Sequence, residues 1–183
     1  MNKKHNFTFI DLFAGIGGLR LAFERSGGKC IFSSEWDKFA QDMYEINHGE
    51  RPVGDINDVV PKDIPDHDFL LAGFPCQPFS QAGHGRGFKD VRGTLFFDIA
   101  EIIEVKKPQA FFLENVQRLH SHDNGKTFRV IERVLTKELG YSFFHKIVRA
   151  SDHGLPQHRP RIFMIGFRDP NIEFEFPKKK ELL

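Results

Sequence analysis

Short apolar segments alternate with amphipathic segments along almost the whole chain, and this alternation limits the possible folds more than any other feature. The segment FTFIDLF at residues 7–13 predicts a buried strand, and Leu19–Ser26 predicts the helix that follows it. The pattern repeats with CIFSSE and Lys38–Asn47, and a third short strand is predicted near Val53–Ile56. Strands that alternate with helices form a mostly parallel sheet with right-handed crossovers and helices on both faces.

The second half of the chain continues this pattern and then changes it. DFLLAGF and QAFFLENV predict a fourth and a fifth strand, and the helix between them carries an apolar face from Leu95 to Ile103. Asp123 is predicted to cap a further helix that ends at Gly140. YSFFHKIVRA and PRIFMIGF then flank a turn-rich segment and are predicted to pair as an antiparallel hairpin. Without a repeat or a linker, residues 1–183 are predicted to form one α/β domain.

Composition excludes several classes of protein. Cys30 and Cys76 are the 2 cysteines, too few for a disulfide framework, which favours an intracellular, reducing location. No apolar run reaches membrane-spanning length, and the N-terminal MNKKHNFTF lacks the apolar core of a signal peptide. The formal net charge is +1, so the total charge does not indicate a nucleic-acid partner, and any basic surface must be local.

A glycine-rich turn between the first strand and the first helix predicts a ligand site. Gly15, Gly17 and Gly18 allow a tight turn and the close approach of a ligand to the helix N-terminus. Because the spacing is not G-x-G-x-x-G, the glycines alone are equally consistent with a plain strand–helix turn. Glu35 ends the second strand, where a carboxylate can accept hydrogen bonds from ribose hydroxyls, and Trp36 offers an aromatic face to a base. With Asp55 as a further acceptor, these residues predict an adenosine cofactor, whose identity the spacing leaves open.

A cysteine between two prolines raises the question of a nucleophile. In GFPCQPFS, Cys76 follows the fourth strand on a loop that Pro75 and Pro78 stiffen. Glu114 and Asn115 end the neighbouring fifth strand, so all three residues are predicted to share one cleft. A thiolate is a strong nucleophile, and a nearby carboxylic acid can protonate what it attacks. A lone cysteine is more often an inert packed thiol, but Glu114 and the cofactor site on the same edge favour the nucleophile.

Basic residues follow this loop and recur near the last strand. GHGRGFKDVRG carries Arg86, Lys89 and Arg92 among glycines, and such a loop can meet phosphates or be a solvated loop only. Arg159 and Arg161 in QHRPR enter the last strand, where a guanidinium can hold a carbonyl, a phosphate or the thiolate.

The chain contains six segments that, in their order, resemble the motifs of the DNA cytosine-5 methyltransferases of bacterial restriction–modification type. These segments are DLFAGIGG, SEWD, GDI, GFPCQPFS, ENV and QHRPRIFMIGFR. The resemblance extends from Phe9 to Arg168. It implies a Rossmann-like methyltransferase fold, S-adenosylmethionine as the cofactor, double-stranded DNA as the partner, and methyl transfer to carbon 5 of a flipped-out cytosine through a covalent Cys76 adduct.

The resemblance also assigns roles to individual residues. It implies that Cys76 is the nucleophile, that Glu114 contacts the target base, that Asn115 supports the loop geometry, and that Arg159 and Arg161 complete the catalytic set. The cofactor-binding residues that it implies are Phe13, Ala14, Gly15, Gly17, Gly18, Glu35, Trp36, Asp55, Ile56, Phe74, Pro75 and Leu95. The DNA-contacting residues that it implies are Gln77, Ser80, Arg86, Lys89 and Arg92, and no metal site is expected.

Members of this family continue with a target-recognition region and a late motif that completes the cofactor pocket. Neither is expected in this chain, which is therefore predicted to be the catalytic, cofactor-binding portion, located in the bacterial cytoplasm at the nucleoid. The alternatives are an inactive fragment, one half of a two-chain enzyme whose second chain carries the recognition region, and a nucleotide-dependent oxidoreductase that leaves Cys76 and Glu114 without roles.

Overall fold

The computed structural model describes residues 5–75 and 95–179, and within these ranges it contains one six-stranded sheet. Strands β1 to β4 are parallel, whereas β6 is antiparallel to both β4 and β5. The order across the sheet is β2-β1-β3-β4-β6-β5, so the predicted mostly parallel sheet and C-terminal hairpin are confirmed. The strands are β1 Phe7–Leu12, β2 Gly28–Ser34, β3 Phe69–Gly73, β4 Ala110–Val116, β5 Phe144–Arg149 and β6 Pro160–Phe167.

Helices cover both faces of this sheet, as the alternating pattern predicts. They are α1 Gly18–Arg25, α2 Lys38–His48, α3 Leu95–Lys106 and α4 Lys126–Arg133, which a π-helical turn at Val134–Glu138 extends. α1 packs on the face that carries Phe9 and Leu71, and α3 and α4 pack on the face that carries Ile10 and Leu70. Each fully buried side chain of this size contributes about 1.5–3 kcal/mol. In the described ranges, no helix has the length and apolar character needed to cross a bilayer.

The prediction of a third strand near Val53–Ile56 is wrong. Val53 forms a single parallel bridge with Ser34, and the chain then turns into a short 3₁₀ helix at Ile56–Asp58. The Asp55 side chain accepts a hydrogen bond of 3.0 Å from the backbone N–H of Asn57. Aspartate competes in this way with strand pairing, because its side chain offers the backbone a local partner.

The prediction that Asp123 caps a helix is also wrong. Asp123 and Asn124 have φ values of 49° and 53°, a left-handed conformation that these two residue types tolerate better than most. α4 begins only at Lys126, after Gly125, and has no side-chain cap. The left-handed turn therefore uses the residues from which the sequence pattern predicts a cap.

Candidate active site

Two adjoining cavities lie at the edge of the sheet where the parallel strands end. The first has a volume of about 410 Å³ and is lined by Glu114 and Arg161; we call it the Glu114 cavity. The second has a volume of about 520 Å³ and is lined by Glu35 and Asp55; we call it the acidic cavity. Phe13 lines both, so a ligand in one cavity lies beside a ligand in the other.

The turn after β1 is built from unusual backbone conformations. Phe13 has a φ of 54°, which is rare and strained for a side chain of its size. Gly17 has a φ of 88°, and a Cβ atom there would lie 1.9 Å from Nε2 of His48. The conformation therefore favours glycine at Gly17, and a side chain there would displace His48, whereas Gly15 and Gly18 face open space. The turn leads directly into α1 at Gly18.

The Glu35 carboxylate fixes this turn by accepting hydrogen bonds from backbone N–H groups. Its Oε2 accepts a hydrogen bond of 2.8 Å from the backbone N–H of Gly15, and its Oε1 accepts one of 2.9 Å from the N–H of Asp37. The residue is only 8% exposed, yet it lines the acidic cavity. Because each carboxylate oxygen has two lone pairs, Glu35 can hold the turn and still accept hydrogen bonds from a ligand.

The other walls of the acidic cavity are acidic and apolar. Trp36 is 71% exposed and presents its indole, while Ile56, Pro75 and Leu95 supply apolar surface. Asp98, which the sequence analysis did not select, also lines the cavity, and burial raises the pKa of its carboxyl, with smaller contributions from Glu101 and Asp55. Among the described residues, this cavity has no Arg, Lys or His in its lining. It therefore suits a neutral or cationic nucleoside better than a diphosphate.

Glu114 and Arg161 form an ion pair in the Glu114 cavity. Nε of Arg161 lies 2.8 Å from Oε1 of Glu114, and both side chains are 21% exposed. Nη1 of Arg161 donates to the carbonyl of Pro160, at 2.9 Å. Among the described residues, Oε2 of Glu114 and Nη2 of Arg161 have no partner, so one acceptor and one donor remain for a ligand.

Asn115 ties the end of β3 to the end of β4. Its Nδ2 donates to the carbonyl of Phe74, at 2.8 Å, and its Oδ1 accepts from the N–H of Val116, also at 2.8 Å. Gly73 pairs with Glu114 across the two strands. The described backbone that precedes position 76 is therefore held beside Glu114, as expected for neighbouring strands.

The remaining predicted site residues divide into three groups. Ala14 and Arg159 line the Glu114 cavity, with Arg159 exposed. Phe74 is buried against Phe96 and lines neither cavity, and its contact with the cofactor stays a prediction. Six predicted residues lie outside the described residues, namely Cys76, Gln77, Ser80, Arg86, Lys89 and Arg92.

Sequence reasoning missed Asp11, although a carboxylate inside the apolar run FTFIDLF is itself a signal. Asp11 is 1% exposed and lines the Glu114 cavity. Neither of its oxygens forms a regular hydrogen bond with any described residue, although the backbone N–H of Arg20 faces the carboxyl. Burial raises its pKa to about 8, against a smaller opposing effect of Arg20. The folded protein therefore prefers Asp11 protonated at neutral pH.

This preference predicts a pH-dependent difference between the wild type and Asp11→Asn. The unfolded chain releases the Asp11 proton near pH 4 and the folded chain only near pH 8, so this group's contribution to stability falls as the pH rises between these values. We expect the free energy of unfolding of the variant, relative to the wild type, to rise by up to about 1.4 kcal/mol per pH unit over that interval. Urea unfolding from pH 4 to 9 measures this difference, and a constant difference would contradict the prediction.

The sheet order and the antiparallel last pair define a Rossmann-like fold. The fold is shared with the DNMT2 mutant of Spodoptera frugiperda, at a TM-score of 0.73 and 24% identity over 97% of this chain and 54% of that one. It is also shared with the EhMeth methyltransferase of Entamoeba histolytica, at a TM-score of 0.73 and 24% identity over 98% and 58% of the two chains.

Sequence comparison identifies the family. The family profile of the C-5 cytosine-specific DNA methylases matches residues 7–182, and this chain belongs to that family. The chain is 65% identical to the type II methyltransferase M.HaeII of Haemophilus aegyptius over 94% of its length, and 58% identical to M.HhaI of Haemophilus parahaemolyticus over 95%. It spans about half the length of these curated relatives, 54% of each.

Proposed function

We propose that this protein transfers a methyl group from S-adenosylmethionine to carbon 5 of a cytosine extruded from duplex DNA. The observation that supports the proposal is the shared wall at Phe13, because a nucleoside in the acidic cavity would lie beside a base in the Glu114 cavity. The family and the type II relatives support the same reaction.

The residues of the acidic cavity fit S-adenosylmethionine. Glu35 and Asp55 would accept hydrogen bonds from ribose and adenine, and Trp36 would stack on the base. The acidic lining suits a ligand that carries a sulfonium cation and no phosphate. When bound, this cofactor supplies an electrophilic methyl group.

In the proposed reaction, the Cys76 thiolate adds to carbon 6 of cytosine, and the electron pair of the carbon 5–carbon 6 bond makes carbon 5 nucleophilic. Oε2 of Glu114 would accept a hydrogen bond from the amino group of the base, and one from ring nitrogen 3 once that nitrogen takes a proton from water as the thiolate adds. Ring nitrogen 3 would release this proton again when the thiolate leaves. Nη2 of Arg161 would donate to the carbonyl oxygen of the base. Carbon 5 would take the methyl group as the bond between that methyl and the sulfonium sulfur breaks, which leaves S-adenosylhomocysteine. Carbon 5 would then release its proton to water, and the returning electron pair would expel the thiolate. Extruding the base costs a few kcal/mol, which contacts of this kind would offset.

A nucleotide-dependent oxidoreductase fits the same structure less well. A dinucleotide carries a negatively charged diphosphate, which the acidic cavity would repel. That function also gives the Glu114–Arg161 pair no part in the reaction. The single-domain organisation, the second chain and the location at the nucleoid stay predictions.

Methyl transfer from labelled S-adenosylmethionine tests the proposal. The chain is assayed on cytosine-containing duplex DNA, alone and together with a separately produced C-terminal half of the M.HaeII relative, and the product is identified by mass spectrometry of the nucleosides. We expect label in 5-methylcytosine and tighter binding of S-adenosylmethionine than of NADH by calorimetry. Tighter binding of NADH, or no 5-methylcytosine in either preparation, would refute the proposal.

A further inference from the structure

The segment after β6 returns across the hairpin to the edge where the active site lies. The Phe174 ring packs against those of Phe144 and Phe167, with centroid distances of 5.7 and 5.9 Å. Next along the chain, the Phe176 ring lies 6.0 Å from Nζ of Lys146. These contacts run along β5 from its first residue toward its end, and they position Lys179, which follows in the chain.

The last described residue, Lys179, then reaches an acidic partner beside the Glu114 cavity. Its Nζ lies 3.1 Å from Oδ2 of Asp152, and Nη1 of Arg149 lies 3.9 Å from the same oxygen. The three side chains therefore form one cluster with two cations and one anion. Arg149 and the neighbouring His153 line the Glu114 cavity, so the cluster borders the site that we propose for the base.

Arg159 adds a further cation to this border. It is exposed, it lines the same cavity, and it forms no ion pair with any described residue. We call Arg149, Arg159 and Lys179, with Asp152, the basic rim. Because the whole chain has 26 basic and 25 acidic residues, a surplus of positive charge at one place is a local feature.

We propose that the basic rim binds backbone phosphates of DNA next to the extruded base. The location rests on the proposed function, since the rim borders the cavity assigned to the base. The chemistry rests on the rim itself, because guanidinium and ammonium groups pair with phosphate oxygens and Arg149 and Lys179 are 44% and 66% exposed. Such contacts position DNA without reading its sequence.

The salt dependence of DNA binding tests this assignment. Binding of the whole chain to a fluorescent duplex is measured from low to moderate salt for the wild type, Arg149→Gln and Lys179→Gln. Each substitution is expected to weaken binding several-fold on any sequence and to reduce the slope of log K against log salt by about 1. Arg25→Gln is the matched control, because Arg25 is exposed at the far end of α1, and it should behave as the wild type.

Asp152→Asn separates a phosphate contact from a structural role. Removal of the Asp152 carboxylate frees Arg149 and Lys179 to bind phosphate, so DNA binding should become several-fold tighter. If the cluster had a structural role instead, all three substitutions would weaken DNA binding. Three results would each overturn the inference. The first is a wild-type salt slope for both Arg149→Gln and Lys179→Gln, the second is weaker DNA binding by Asp152→Asn, and the third is no duplex binding by the wild type at the lowest salt. The outcome is independent of the methyl-transfer assay, so a failure of the proposed reaction alone leaves the rim in place.

Discussion

Glu114→Gln should lower the rate of methyl transfer by about 10²- to 10³-fold, the effect typical of removing one preorganised polar group at a reacting centre. Glutamine keeps the shape of the side chain and can still accept from Nε of Arg161 at the position of Oε1. It removes the negative charge that balances Arg161, and it places either an amide nitrogen or a weaker acceptor where the base would meet Oε2. The rate should therefore fall much more than the affinity for the cofactor.

Labelled methyl transfer, in whichever preparation is active, measures this rate, and calorimetry measures the affinity for S-adenosylmethionine. Glu138→Gln is a matched control, because Glu138 also faces an arginine, Arg133, at 3.4 Å, but at the end of the α4 segment. We expect the control to transfer methyl groups at the wild-type rate. An unchanged rate in Glu114→Gln, or an equal loss of cofactor affinity, would contradict the role proposed for Glu114.

Glu35→Gln should lower the affinity for S-adenosylmethionine by at least about 30-fold. The two carboxylate oxygens each accept from a backbone N–H, at 2.8 Å from Gly15 and at 2.9 Å from Asp37. A glutamine amide would direct its own donors at one of these N–H groups and would replace charge-assisted hydrogen bonds by weaker ones. A loss of about 2 kcal/mol or more of binding free energy corresponds to this roughly 30-fold change in affinity.

Calorimetric titration with S-adenosylmethionine measures the effect, and urea unfolding shows whether the variant is folded. Glu45→Gln serves as the control, because Glu45 is an exposed residue of α2 whose side chain pairs with Arg51, at 2.9 Å, and with no other residue of the described ranges. Its affinity for the cofactor should equal that of the wild type. A folded Glu35→Gln variant with wild-type affinity would exclude Glu35 from the cofactor site.

Much of the fold follows from local patterns. The alternation of apolar and amphipathic segments predicts the parallel sheet because a buried strand and a half-buried helix have different hydrophobic periods. The two errors in secondary structure occur at aspartates. The Asp55 side chain accepts a hydrogen bond from a local backbone N–H, and Asp123 adopts a left-handed conformation. In both cases the sequence pattern cannot show whether an aspartate will cap a helix, interrupt a strand or take a left-handed turn.

The site was predictable where a residue type stands at the end of a strand. Glu35 and Glu114 were selected in this way, and the structure places both at the carboxyl edge. The sequence does not single out Asp98, because α3 also carries Glu101 and Glu104, and only the packing of the helix decides which carboxylate lines the acidic cavity. Asp11 has a sequence signal, a carboxylate within an apolar run, but its place in the wall of the Glu114 cavity becomes visible only in three dimensions.

The class of fold and the residue types of the candidate site follow from the amino-acid sequence, because periodicity and ordered motifs are local properties of the chain. Which charges meet depends on the tertiary structure. The tertiary structure pairs Arg161 with Glu114, buries Asp11 without a regular hydrogen bond to any described residue, and brings Lys179 and Arg149 to one oxygen of Asp152. These outcomes depend on the strand order and on the path of the last segment, which join residues far apart in sequence and set the local electrostatics.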